Sequence, residues 1–471
     1  MYDSLYAEAA ELGANSLKVP VKWSMIEPEK GRYDFSYVDH AIRMARQNGL
    51  HLVLDWFGHY GSGNGPLYHN LSGEMYVPMY IVSNEKTYPR AIDGTGTVHH
   101  AAASYDSPAI VDREVRAVRA LMLHLKRVDI HHVVTGIQME NEISVFGGST
   151  QDPSLFRDDS PASNRKFAKN HFHDDLRYSA WDLSRFWMRP LTEAAHDAYP
   201  IPLFLNYVNG SAEPGLAGGS PGEDVATYLE NCPDLSFIGV NAYFCARWNG
   251  AGCAVPSPAT TEELRQTLMR FEVGRNIPAV TETNSGNSEA APRFAYVAVG
   301  EFGVPIFAPW SLTWSYPGQD EPYVLHDGQL ANGAASLRRA YQSLEMALPP
   351  ILTYAGTDKL AVFQAATSGE PFRTTATING ETMEISGEDG GQAIVVHPAG
   401  QQILIVGYRV QLGVTDPGLV WPEMRRLRVR RVRWVAGHWM QTGAPYYSVV
   451  QGRRRLWIVL QYPEVVLVSL P

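Results

Sequence analysis

The sequence has few cysteines, no long apolar run and no excess of basic residues. Its 471 residues include three cysteines, Cys232, Cys245 and Cys253, and either a Cys245–Cys253 loop bridge or three buried thiols fits this count. The run of about 18 apolar residues that a membrane-spanning helix needs does not occur. These absences exclude a disulfide-rich scaffold and predict no membrane span.

The charge balance is acidic, with 39 Lys and Arg against 49 Asp and Glu, a formal net charge of −10. This balance gives no electrostatic reason to expect a nucleic acid or an acidic membrane as partner, and a neutral substrate such as a sugar fits it better. The oligomeric state stays open. The sequence opens without an export signal, so we expect an exported protein only if a segment upstream of Met1 supplies one.

Short apolar runs alternate with helical patterns over residues 1–345. For example, apolar positions repeat at three and four between residues 109 and 127, and the apolar run Val133–Met139 follows directly. Seven such β/α units are countable. They predict a (β/α)8 TIM barrel whose first strand lies upstream of Met1 or is supplied in some other way. Residues 351–471 change to short alternating segments, which predict a smaller antiparallel, sandwich-like β domain.

Two apolar runs end in carboxylates. Val133–Met139 leads into Glu140-Asn141-Glu142, and Ile277–Val280 leads into Thr281-Glu282. Catalytic groups of parallel barrels lie at the carboxyl ends of the strands, and glycoside hydrolysis uses a pair of carboxyl groups. Glu142 and Glu282 are therefore the candidate catalytic pair. The alternative is that each carboxylate only caps the next helix or pairs with an arginine.

Six segments of the chain form a recognisable set: Val19–Trp23, Glu27-Pro28, Gly31–Phe35, Gln138–Glu142, Arg157–Pro161 and Ala279–Glu282. Together they resemble clan A of the glycoside hydrolases, most closely family 35 and next family 42. The resemblance covers most of residues 1–345. It departs from family 35 where Ile143-Ser144-Val145-Phe146 stand between Glu142 and Gly147.

The resemblance implies a role for each strand-end group. In clan A an Asn-Glu pair at strand four supplies the acid/base and a Glu at strand seven supplies the nucleophile. Glu142 would then be the acid/base, Glu282 the nucleophile, and Asn141 the contact to the sugar 2-hydroxyl. Tyr243, at the end of the sixth strand, is a suitable donor to Glu282. No metal or cofactor is needed for this chemistry.

Three further strand-end residues are candidates for substrate binding. Trp310, at the end of the eighth strand, either forms the floor of the sugar subsite or packs in the core. Asn206 and Trp56 face the same mouth, where either binds substrate or satisfies loop backbone. Glu140 points away from Asn141 by alternation, which favours a structural ion pair. His59, His99 and His100 are expected in loop roles, because adjacent rings point apart and no carboxylate recurs at ligand spacing.

The sequence thus predicts a retaining exo-glycosidase that releases terminal β-linked galactose from oligosaccharides. The galactose assignment comes from the resemblance, and the long connection from residue 59 to 108 favours the pocket of an exo-acting enzyme. One alternative is another clan A activity, such as β-glucosidase, β-mannosidase or endo-glucanase. The other is a non-hydrolytic carbohydrate-binding relative.

Overall fold

The computed structural model of the protein describes most of the chain in two compact units. The first unit comprises Met1–Ala10, Asn15–Tyr243 and Met269–Thr281, and the second comprises Glu11–Ala14, Phe244–Leu268 and Glu282–Pro471. The predicted boundary between residues 345 and 351 stays a prediction. The described residues are 3–58, 76–143, 145–146, 152–208, 221–249, 252–256, 260–283, 290–313, 322–324, 329–331, 333–365, 370–398, 402–415, 428–450 and 455–469.

Strands and helices alternate in the first part of the chain, and strands dominate after residue 355. The described strands are β1 (Ser16–Lys22), β2 (His51–Phe57), β3 (Arg90–Ile92), β4 (Val98–Ala103), β5 (Val134–Gln138), β6 (Leu203–Val208), β7 (Leu235–Ala242), β8 (Cys245–Asn249), β9 (Gly252–Pro256), β10 (Val280–Thr283), β11 (Leu360–Gln364), β12 (Phe372–Ile378), β13 (Glu381–Val396), β14 (Gln402–Thr415), β15 (Arg428–Val435), β16 (His438–Gly443), β17 (Tyr446–Val450), β18 (Arg455–Leu460) and β19 (Glu464–Ser469). The described α-helices are Ser4–Glu11, Trp23–Ile26, Ser36–Gln47, Met79–Val82, Pro108–Val128, Pro161–Lys169, Asp175–Asp182, Arg189–Ala198, Pro221–Asn231, Thr261–Phe271, Ala290–Phe302, Ala334–Glu345 and Leu348–Tyr354, with a 3-10 turn at Pro153–Leu155 and a π-helical turn at Leu183–Met188.

A parallel sheet forms the core of the first unit. Its described strands run in the order β1, β2, β5, β6, β7 and β10, and the first two residues of β10 lie in this unit. The helix Pro108–Val128 lies between β2 and β5 in the chain, begins at a proline and buries Val118, Leu121 and Leu125. A helix between parallel strands is what the alternation of apolar runs predicts, because a parallel connection must cross over the sheet.

Strand β10 begins later than the sequence indicates. The apolar run starts at Ile277, but Ile277 is 52% exposed and the strand starts at Val280. Pro278 explains the shift, since proline has no backbone N–H to donate to a neighbouring strand. Glu282 therefore lies within the strand rather than after it.

The predicted last strand of the barrel, residues 304–310, is not a regular strand. Within this segment only Phe307 makes a β-bridge, and the chain bends at Pro305 and Trp310. Pro305 and Pro309 remove two backbone donors from seven residues, so the segment cannot form a continuous ladder. Trp310 nevertheless donates its backbone N–H to the Thr283 carbonyl at 2.9 Å.

The second unit contains the antiparallel sheet that the sequence predicts after residue 351. The strand order is β11, β13, β14, β19, β15 and β16, with β12 on β13 and with β18 joining β14 to β17. Ile385, Val395, Ile405, Leu412 and Ile458 belong to its buried core. They alternate along their strands with residues of the other face, several of which, such as Val406 and Leu467, are buried as well.

Among the described helices, none combines the length and the apolar character that a membrane crossing requires.

Candidate active site

The turn after β5 has two residues in the left-handed backbone region. Glu140 has a φ of 108° and Glu142 a φ of 51°, and neither is a glycine. Such conformations cost about 1–3 kcal/mol each and persist only where the surroundings fix them. Strand pairing ends beside this turn, where the Met139 N–H donates to the Phe204 carbonyl at 2.7 Å. The chain then turns so that Asn141 and Glu142 leave the sheet half-buried.

Asn206, in β6, holds this turn from the neighbouring strand. Its Oδ1 accepts the Glu142 backbone N–H at 2.8 Å, and its Nδ2 donates to Asn141 Oδ1 at 2.7 Å. The same Nδ2 donates to Asn241 Oδ1 at 3.0 Å. Asn206 is fully buried, so these contacts satisfy groups that water does not reach. Of the two predicted roles of Asn206, the structure shows a contact to loop backbone, at the Glu142 N–H. Substrate binding by Asn206 stays a prediction.

Asn241, in β7, contacts the carboxyl group of Glu142 directly. Its Nδ2 donates to Glu142 Oε1 at 2.7 Å. Its Oδ1 accepts from the Thr281 hydroxyl at 2.9 Å as well as from Asn206. Three adjacent strands thus supply one side chain each to a hydrogen-bonded frame around Glu142, formed by Asn206, Asn241 and Thr281 and called the amide frame below.

Asn141 is also held from the side of β2. Gln138 Nε2 donates to Asn141 Oδ1 at 3.1 Å and to Asp55 Oδ1 at 2.8 Å. Lys18 pairs with Asp55 at 3.4 Å and donates to Gln138 Oε1 at 3.3 Å. The side-chain oxygen Oδ1 of Asn141 therefore accepts from two amides. These two hydrogen bonds fix the orientation of the Asn141 amide, so that its Nδ2 points away from them as a donor.

Glu140, on the turn, and Glu114 are neighbouring buried carboxyl groups. Glu114 is fully buried and accepts the indole N–H of Trp56 at 3.0 Å and that of Trp187 at 2.7 Å. Burial raises the pKa of Glu114 to about 7. Glu140 accepts the Gly58 N–H at 2.9 Å, and its pKa is raised well above the ordinary value by burial and then by the nearby Glu114 carboxylate. The structural role predicted for Glu140 agrees with this burial, although its described partners are backbone N–H groups rather than a cation.

Trp56 lies inside the first unit rather than at an open surface. It is 1% exposed, and its indole N–H donates a hydrogen bond to Glu114. Two residues later, a methyl group on Gly58 would collide with the Glu114 carboxylate and the Trp56 indole nitrogen. The backbone at Gly58 therefore lies close to both groups. Substrate binding by Trp56 stays a prediction.

The remaining predicted residues are placed as follows. Tyr243 follows β7, is half-buried, and donates its backbone N–H to the Asn241 carbonyl at 3.1 Å. Glu282 is 8% exposed in β10 and Trp310 is half-buried; both belong to the second unit. The structure therefore brings Asn141, Glu142 and Asn206 into one network. The approach of Glu282 to Glu142, and of Tyr243 to Glu282, stays a prediction.

Sequence reasoning missed Asn241 and Thr281. Both are fully buried polar residues in apolar strands. Asn241 lies two residues before Tyr243, and Thr281 directly precedes Glu282. A buried strand tolerates a polar side chain only when it finds partners. That rule, applied to the last residues of each apolar run, would have selected both.

The sequence predicts loop roles for His99 and His100, but both lie in strand β4, which pairs with β3. His99 pairs with Asp93 at 2.7 Å and His100 with Glu85 at 2.8 Å, so the adjacent rings serve different carboxylates. Within the described ranges no group of three or more His, Cys, Asp or Glu is arranged to hold a metal ion. His59 lies outside the described residues. Cys232 is buried and free, and the side chains of Cys245 and Cys253 lie outside the description.

Comparison with known proteins connects this architecture to carbohydrate-active enzymes. The beta-galactosidase model of glycoside hydrolase family 42 matches residues 5–57. Over 64 residues the chain is 41% identical to a glucan 1,3-beta-glucosidase of Blumeria graminis, a match that covers 13% of this chain and 15% of that protein.

The fold is similar to those of solved structures. A beta-galactosidase from the psychrophilic Marinomonas ef1 superposes with a TM-score of 0.55 at 12% identity, covering 76% of this chain and 60% of that chain. The catalytic domain of a beta-amylase from Paenibacillus polymyxa gives 0.52 at 10% identity, covering 72% of this chain and 93% of that one. The chain thus spans less than two thirds of the Marinomonas enzyme. The comparisons confirm the resemblance to clan A of the glycoside hydrolases and the TIM-barrel type of fold with an additional antiparallel β domain.

Proposed function

We propose that the protein is a retaining exo-glycosidase that releases terminal β-linked galactose from oligosaccharides. Glu142 is the acid/base and Glu282 the nucleophile of a double displacement. The observation that carries the proposal is the placement of Glu142. Its carboxyl group lies at the carboxyl end of a parallel strand, on a strained turn, and Glu142 is held by the side chains of Asn206 and Asn241 from two further strands. Fixed orientation of this kind is what proton transfer to a glycosidic oxygen requires.

The chemistry follows from the two carboxyl groups. Glu142 gives its proton to the glycosidic oxygen while the Glu282 carboxylate attacks the anomeric carbon and the bond to the leaving group breaks. Water then attacks the glycosyl-enzyme ester as Glu142 takes the water proton, which restores both groups. Asn141, whose Oδ1 is occupied by two amides, presents Nδ2 to the sugar 2-hydroxyl. Tyr243 donates to Glu282, and Trp310, Asn206 and Trp56 remain the further substrate-contact proposals.

Galactose is supported by the family resemblance and by the family 42 match over residues 5–57. The identity of 41% to a glucan 1,3-beta-glucosidase over 64 residues favours a glucoside as the second candidate. A panel of nitrophenyl glycosides separates the two. Faster turnover of the galactoside supports the first proposal, and faster turnover of the glucoside replaces it.

Two substitutions test the catalytic roles. We expect Glu142→Gln to lose about 10²- to 10⁴-fold on substrates with poor leaving groups and much less on nitrophenyl glycosides, because the latter leave without a proton. Glu282→Ala should lose turnover of both. Glu262→Gln, at a side chain that is 64% exposed, is the matched control and should keep wild-type rates.

Azide provides the stereochemical test of the same roles. With Glu282→Ala, azide attacks the anomeric carbon directly, displaces nitrophenolate and gives the α-glycosyl azide. With Glu142→Gln, azide attacks the glycosyl-enzyme ester and gives the β-glycosyl azide. The same anomer from both variants would contradict the assignment, and a well-folded protein that turns over none of the glycosides would favour a carbohydrate-binding relative.

A further inference from the structure

We propose that Asn241 is a positioning residue that places the acid proton of Glu142 on Oε2, and that Thr281 and Asn206 lock the Asn241 amide in the orientation that does so. The inference rests on the proposed role of Glu142 as acid/base. It concerns which of the two carboxyl oxygens delivers the proton and what fixes that choice.

The orientation follows from one donor that cannot reverse. The backbone N–H of Glu142 can only donate, and it donates to Asn206 Oδ1 at 2.8 Å. The Asn206 amide is therefore placed with Nδ2 towards Asn241, where it donates at 3.0 Å. An asparagine that receives this N–H must present its oxygen there. The Glu142 backbone N–H thus fixes the orientation of the Asn241 amide through Asn206.

Thr281 adds a second donor to the same oxygen. Its hydroxyl lies 2.9 Å from Asn241 Oδ1. A reversed Asn241 amide would set its NH₂ group against the Asn206 NH₂ group and would take the acceptor Oδ1 away from the Thr281 hydroxyl hydrogen. Asn206, Asn241 and Thr281 are all fully buried, so water cannot satisfy the groups that the reversal would orphan. The structure therefore allows one orientation.

That orientation decides the chemistry of Glu142. Asn241 Nδ2 donates to Oε1 at 2.7 Å, so Oε1 is an acceptor in both protonation states and the neutral carboxyl carries its proton on Oε2. Oε2–H is then the bond that breaks when the glycosidic oxygen is protonated. In the second half-reaction Oε2 takes the proton back from water. Asn241 makes the same hydrogen bond throughout and needs no rearrangement between the two steps.

A donor to a carboxylate favours the ionised form. Loss of the Asn241 hydrogen bond should therefore raise the pKa of Glu142, which sets the basic limb of the kcat/KM profile. The partners described in the amide frame are neutral. Charged groups among the described contacts of this network include Glu140, on the same turn, and Asp55 with Lys18, which connect through Gln138 and Asn141. All of them stay unchanged in the variants below.

The test compares pH profiles of kcat/KM on an unactivated galactoside for Asn241→Ala, Thr281→Val and Thr281→Ser. We expect the basic limb of Asn241→Ala to move upward by about one pH unit, as loss of a charge-assisted hydrogen bond predicts. Thr281→Val keeps the shape of the side chain but loses the hydroxyl, so it should shift the limb in the same direction by less. Thr281→Ser keeps the hydroxyl and should keep the wild-type limb.

The outcomes separate this inference from the proposed function. Glu142→Gln is measured first: if it retains full activity on the unactivated substrate, the role of Glu142 is wrong and so is the inference. If Glu142→Gln abolishes the basic limb while Asn241→Ala and Thr281→Val leave the limb in place, the role of Glu142 stands and the inference is wrong. Equal shifts in Thr281→Val and Thr281→Ser would also overturn it, since only one of them removes the donor. Thermal unfolding of each variant identifies any that fails to fold, and Thr281→Val then decides in place of Asn241→Ala.

Discussion

Glu114 is a carboxyl group without a cation among its described hydrogen-bond partners, which are the indole N–H groups of Trp56 and Trp187. Burial raises its pKa from an ordinary value of 4.5 to about 7, although the two indole hydrogen bonds act in the opposite direction. The folded protein therefore holds a proton on Glu114 between these pH values where the unfolded chain does not. This makes stability depend on pH in a defined direction.

We expect the free energy of unfolding to fall as pH rises from 4.5 towards 7, the range over which the pKa of Glu114 is displaced. The stabilisation is fully present below the unfolded pKa, and the loss contributed by this one group is on the order of 3 kcal/mol. Glu114→Gln imitates the protonated form. Its denaturant unfolding, compared with wild type at a series of pH values, should lack this component.

The control for that measurement is Glu262→Gln, which removes an exposed carboxylate and should follow the wild-type curve. Parallel curves for wild type and Glu114→Gln across pH 5 to 8 would show that Glu114 is ionised in the folded protein throughout. That result would contradict the role of burial in setting its pKa.

At the same scale, the sequence identified the residues whose position follows from strand ends. Glu142, Asn141 and Asn206 were predicted because an apolar run that stops at a polar residue marks the carboxyl edge of a parallel sheet. Asn241 and Thr281 were not, because their importance lies in contacts between strands that are 40 residues apart in the chain. A single sequence does not report which side chains meet across a sheet.

Among the elements, β7 and β10 are packed closely where Gly239 lies. The Val240 N–H donates to the Ala279 carbonyl at 2.8 Å. A methyl group on Gly239 would meet the Thr281 Cγ2 at 2.5 Å and the Ala279 side chain at 3.2 Å. The glycine is therefore required by the neighbouring strand rather than by its own backbone conformation.

Gly239→Ala should destabilise the protein by about 1–3 kcal/mol, the usual cost of overpacking a core. It should also lower activity, because Thr281 holds the amide frame. Chemical denaturation and kcat/KM measure the two effects.

Thr281→Ser supplies the matched test of that explanation, since serine lacks the methyl group that Gly239→Ala would strike. The double variant Gly239→Ala with Thr281→Ser should recover much of the lost stability. Additive losses in the double variant would show that the Thr281 methyl group is not the cause.

Element boundaries were predicted less well than element types. The apolar runs predicted the six strands of the described parallel sheet, because strands buried on both faces need apolar side chains throughout. The start of β10 and the segment 304–310 were misplaced because prolines interrupt the ladder there. Hydrophobicity records burial, whereas strand assignment also depends on backbone donors.

For the whole molecule, the chain combines a parallel sheet with helices and an antiparallel sheet in two compact units. Both sheet types were predictable, since continuous apolar runs and alternating runs distinguish them. The division into these two units depends on contacts between distant parts of the chain, which a sequence pattern does not report. The second unit, for example, includes residues Glu11–Ala14.

The proposed reaction needs only carboxyl groups, so we expect turnover to be unchanged after prolonged incubation with EDTA and removal of the chelator by dialysis. Within the described residues no metal-binding group of His, Cys, Asp or Glu is assembled. A loss of activity that a divalent cation restores would contradict this expectation.

The amide frame consists of groups that neither gain nor lose protons in ordinary buffers. Its hydrogen bonds from Asn206, Asn241 and Thr281 therefore keep the same donors and acceptors in acid and in base. Acidic or basic conditions then change the protonation of the reacting carboxyl groups, while the hydrogen bonds of the amide frame around Glu142 stay unchanged. Activity lost at either extreme should return at once on neutralisation, as long as the protein has stayed folded.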